Sequence, residues 1–219
     1  LVAAGLTMVA GSASAGIVGS KHDFSSTSWS TNNYGTNTAA TKEICRPCHV
    51  PHKALSSTVI PLWNHANSTN ATYTLYSSTT LNAGTNGTGW TAITQPAGVS
   101  KACLACHDGS TALDSFGTSV GGAFIAVAGR VGYGGSLSLD HPISFEYTAG
   151  LAAADGELYN PVSTASGIGG TIAVDMLDGG TKVECSSCHD VHNTKSAGNS
   201  KLLLKSNQNS ALCLTCHNK

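Results

Sequence analysis

The chain has 219 residues with 11 Lys and Arg against 12 Asp and Glu, a formal charge of −1, and no basic cluster exceeds two residues. That balance leaves no electrostatic footprint for nucleic acid. Only 11% of residues are charged and 6% aromatic, against about 25% charged in ordinary domains, so a conventional core of full size is not expected from the side chains alone.

In chain order, Leu1 to Gly11 is apolar and uncharged, and Ala13-Ser14-Ala15 follows as an A-x-A pattern. Residues 1–15 therefore read as the apolar and cleavage regions of a secretory signal, with the mature chain starting near Gly16. The apolar run is too short to span a bilayer, and no other stretch qualifies. Lys21-His22-Asp23 comes next, then Cys45-Arg46-Pro47-Cys48-His49-Val50-Pro51-His52. Leu62-Trp63-Asn64-His65 precedes a loop of Ser, Thr and Asn, and Cys103-Leu104-Ala105-Cys106-His107 closes the first half. A glycine-rich stretch holds Asp140-His141-Pro142. Cys185-Ser186-Ser187-Cys188-His189-Asp190-Val191-His192 and Cys213-Leu214-Thr215-Cys216-His217 complete the chain.

All 8 Cys fall into four C-x-x-C-H motifs, the attachment signature of c-type haem. Two thiols at this spacing can each form a thioether with a porphyrin vinyl group. The histidine that follows then points beneath the macrocycle, where it can ligate iron. Paired C-x-x-C motifs also build zinc sites and redox centres, and Cys185 to Cys216 alone would pass as a loose zinc ribbon. The histidine after every pair favours haem. A disulfide scaffold suits far shorter chains.

The expected cofactor is thus four covalently attached haems c, on Cys45, Cys48, Cys103, Cys106, Cys185, Cys188, Cys213 and Cys216. His49, His107, His189 and His217 are the proximal ligands. Five histidines remain for four distal positions: His22, His52, His65, His141 and His192. His52 and His192 each follow a proximal histidine by three residues and share its side of a helical turn, so each is expected to reach a neighbouring haem. By this spacing His192 is assigned to the haem of Cys213 and Cys216. His65 is the first to drop. Met8 and Met176 are the only methionines, which nearly excludes methionine ligation. Iron with two histidines is saturated, which favours an electron carrier over an enzyme.

The C-x-x-C-H-x-x-H run occurs twice, each time followed by a simpler motif. This divides residues 16–219, a single tetrahaem domain, into a first dihaem unit (16–110), a glycine-rich insertion (111–180) and a second dihaem unit (181–219). Composition predicts mostly irregular coil with a few short α-helices around the motifs. Covalent haem attachment takes place outside the bacterial cytoplasm, so an exported protein is expected, extracellular or at the cell surface, with the periplasm as the alternative.

On these motifs, together with Lys21-His22-Asp23-Phe24, Pro61 to His65 and Asp140 to Ser144, the sequence resembles multihaem cytochromes with paired C-x-x-C-H motifs, and within them the tetrahaem cytochromes that form extracellular filaments. The resemblance implies a multihaem cytochrome c fold organised around four bis-histidine haems. It also implies a head-to-tail homopolymer with one haem ligand crossing between subunits. Other redox proteins or extracellular acceptors would be its partners. A monomeric periplasmic shuttle and a reductase of a small oxyanion are the competing readings.

Overall fold

Serine, threonine, asparagine and glycine break this chain before a helical or strand period can run for long, because their side chains or lack of one favour turns. The computed structural model describes residues 16–24, 44–55, 60–83, 93–195 and 199–219, and the signal-like segment 1–15 lies outside them. The described chain is mostly irregular, with four short α-helices, a few single turns of 3₁₀ helix and one two-stranded sheet. None of the described helices is long and apolar enough to cross a membrane.

Helix α1, Gly98–His107, carries the second haem motif and buries the small side chains of Ser100, Ala102 and Ala105 with Leu104. Strand β1, Phe145–Glu146, pairs antiparallel with β2, Lys182–Val183, setting Phe145 opposite Val183. Helix α2, Ala149–Asp155, begins where the Thr148 side chain accepts from Leu151 N and ends at Gly156, whose φ of 75° suits only glycine well. Helix α3, Ile172–Met176, is capped the same way by Thr171. Helix α4, Cys213–Cys216, is the fourth haem motif.

The apolar core gathers around this sheet: Phe145, Tyr147, Leu151, Ile172, Met176 and Val183 pack together, and Leu204 and Leu212 bring the third and fourth motifs onto them. Most of it thus comes from the stretch expected to be a glycine-rich insertion. Met176 is part of this core, 4% exposed, and is turned away from any ligand role.

Among the described residues, 45–64 and 185–204 share backbone features at positions 140 apart. His49 N and His189 N both donate to the carbonyl of the motif's first cysteine, and Asn64 N and Leu204 N to that of its second. Val50 N donates to Leu62 O and Asp190 N to Leu202 O. Lys53 and Asn193 have φ of 59° and 53°, and Leu62 and Leu202 of 57° and 55°. Left-handed leucine is uncommon, so its recurrence at matched positions marks one supersecondary unit used twice.

Candidate haem-binding sites

Three of the four motif histidines are tethered through Nδ1 to backbone carbonyls. His49 Nδ1 lies 2.9 Å from Pro61 O, His107 Nδ1 2.7 Å from Gly129 O, and His189 Nδ1 2.9 Å from Lys201 O. A carbonyl only accepts, so Nδ1 carries the hydrogen and Nε2 keeps its lone pair for a metal. His141 Nδ1 is held in the same way by Pro142 O at 2.8 Å.

Three of these rings face a second histidine. His22 and His107 have ring centroids 6.1 Å apart, His49 and His192 6.4 Å, and His141 and His217 6.3 Å. An imidazole nitrogen binds a metal at about 2 Å, so two rings sharing one iron from opposite sides have centroids about 6 Å apart. The residues therefore fit a haem iron at the first, second and fourth motifs. His192 lies against His49 and not His217, so this trailing histidine points across to the other matched unit. His141 takes the position by His217. Among the described residues neither His52 nor His189 has a ring contact, and both are exposed.

His65 stands apart. It is 1% exposed, with Nδ1 2.7 Å from Ala66 O and Nε2 3.1 Å from Ala112 O. Both ring nitrogens point at backbone carbonyls, and neither is directed at a shared metal position.

Two of the paired rings, His22 and His217, are pushed towards the neutral form, the one that ligates. Burial, then the neighbouring His107, His189 and His192, push His22 down to about 4. Burial and His141 also lower His217. His22 Nδ1 is buried with no hydrogen-bond partner, a cost that a ligand contact would offset.

All eight cysteines are free thiols. Among the described residues, which include every Cys and His, no three His, Cys, Asp or Glu side chains converge as a zinc site requires. Burial raises the Cys48 and Cys216 thiols to about 11. A hydrogen bond with Cys185, and burial, hold Cys103 well above its ordinary value. Cys48 acts on Cys106, and Cys213 on Cys188. The four attachment points thus follow one another in space in chain order.

Two buried carboxylates support these motifs and were not singled out from the sequence. Asp108, directly after His107, is 0% exposed. It accepts from Ser68 Oγ, from Asn70 Nδ2 at 2.8 Å, from Tyr73 Oη at 2.6 Å and from Ser110 N at 2.8 Å. Burial alone would raise its carboxyl, but these donors hold it below the usual range. Glu184, directly before Cys185, accepts from Ser100 Oγ and Ser144 Oγ, and burial raises its carboxyl. Adjacency to a motif was the only available signal for either; their side-chain donors come from far along the chain.

The family model for the doubled CXXCH motif matches residues 179–219, covering the third and fourth motifs. This supports a multihaem c-type cytochrome. The motif indicates covalently bound c-type haem and a role in electron transfer. A search of the curated proteins returns no match.

Proposed function

We propose that the chain holds four haems c, each between two histidines, and passes electrons along them without transforming a substrate. The observation that carries this reading is the set of three histidine pairs at 6.1 to 6.4 Å. His22 serves the haem of His107, His192 that of His49, and His141 that of His217. His52 is the remaining candidate for the haem of His189, by the symmetry that sets His192 against His49. His65 is not a ligand.

The haem supplies a one-electron iron couple. The protein's part is orientation and exclusion. Pro61 O, Gly129 O and Lys201 O fix the rings of His49, His107 and His189, three of the four that would each meet an iron. Two histidines per iron leave no open position for an oxyanion, the open site that a catalytic metal needs, which argues against the reductase.

The finer reading is an exported protein that polymerises head to tail into an extracellular conduit, in which His52 and His189 could meet across a subunit contact. Its supports are the resemblance to the filament-forming cytochrome OmcE and a low surface charge that weakens repulsion between copies. Exposure of both unpaired histidines adds to these. A heterologous contact that does not close generates an open filament. Negative-stain electron microscopy of holoprotein secreted by the native pathway is expected to show filaments. Monodisperse single-chain particles would instead favour the periplasmic shuttle.

A further inference from the structure

The repeated units place a nitrogen-bearing side chain at the same point in each, one residue past the matched stretch: His65 in the first and Lys205 in the second. His65 reaches the second cysteine of the motif that follows, and Lys205 reaches the residue just before it. His65 Nε2 lies 3.3 Å from Cys106 Sγ. Lys205 Nζ donates to Thr215 Oγ1 at 2.9 Å, beside Cys216. The positions match, but the charges differ. Burial of His65 lowers its pKa, whereas Lys205 brings an ammonium.

That ammonium is fixed. It also donates to Ser166 O at 2.8 Å. Gly167, with φ of +80°, makes the close approach possible, since a Cβ there would lie 2.8 Å from Nζ. Both acceptors are neutral. The ion pairs among the described residues join Lys195 to Asp175 and Lys219 to Glu157, and neither involves Lys205. Asp175 meets the same loop through Ser166 Oγ and Gly170 N, and its own cation is Lys195.

We propose that Lys205 is a positioning charge for the fourth haem that raises its reduction potential. Reduction adds an electron to the iron. A cation held at short range in a half-buried setting favours that state, because screening there is weaker than in water. No proton or further reactant takes part. Electrons entering at the first unit are thereby drawn towards the motif of His217. The inference rests on the haem reading given above.

Spectroelectrochemical titration of the purified holoprotein tests it, comparing wild type with Lys205→Gln, Lys205→Met and Lys205→Arg. The two neutral variants are expected to lower one of the four components by about tenfold in its reduction constant, or 59 mV for a one-electron couple. Lys205→Arg, which keeps the charge, is expected to stay within about threefold of wild type, about half that interval. Lys205→Met retains the aliphatic stem, so loss of packing is separated from loss of charge. Four unmoved components, or four moved equally, would overturn the role of Lys205. Wild-type protein without covalently bound haem would overturn the haem reading itself.

Discussion

Residues 45–64 and 185–204 share backbone hydrogen bonds, left-handed turns and a histidine tethered to a carbonyl 12 residues on, yet they rest on different foundations. In the first, Asn64 is buried and its amide donates to Arg46 O at 2.6 Å, and the following motif is fastened by Asp108 and its ring of hydroxyl and amide donors. In the second, the matching residue is Leu204, which joins the apolar core of Phe145, Leu151 and Ile172. The motif dictates the loop that presents the histidine. What anchors that loop can be polar or apolar, provided it is buried and satisfied.

The comparison breaks first at its apolar side. Ile172 is 0% exposed, and Ile172→Ala is expected to cost about 2–5 kcal/mol through lost burial and an unfilled cavity. Denaturant unfolding of the holoprotein measures it, and hydrogen exchange should show the loss centred on 145–183 and 204–212, with the first unit spared. On the polar side, Asp108→Ala leaves the donors of Asn70, Tyr73 and Ser110 without their acceptor. The expected cost is about 1–3 kcal/mol, with exchange quickened in residues 68–73 and around His107. A uniform response to either substitution would erase the distinction between the two foundations.

A smaller effect concerns the loop that carries Ser166. Donation from the Ser166 hydroxyl and from Gly170 N, with the charge of Lys195, holds the Asp175 carboxyl below its ordinary value. A lowered folded pKa contributes stability above the unfolded value, near 4, and loses it as pH falls through the folded one. Asp175→Asn should therefore be less stable than wild type at pH 7. The gap should close as pH falls below about 4, followed by thermal unfolding at each pH.

The motifs were legible because their chemistry is local: two thiols and an imidazole within five residues need no tertiary structure to declare themselves. The irregular fold was legible too, since turn-forming residues interrupt every period. The pairing of distal histidines was not. His22 meets His107 and His49 meets His192 across separations that spacing cannot encode, so assigning His192 to the motif of His217 from local sequence alone missed the facing of the two units. The core was hidden for a similar reason. Phe145 and Val183 sit in strands of two residues each, too short to leave an alternating pattern.

The ligand set is the central claim, and low-temperature electron paramagnetic resonance of the oxidised holoprotein tests it most directly. Wild type and His65→Gln should each give four low-spin haems, whereas His22→Ala and His141→Ala should each convert one haem to high spin. A high-spin haem in His65→Gln, or four low-spin haems surviving in His22→Ala and His141→Ala, would contradict the assignment.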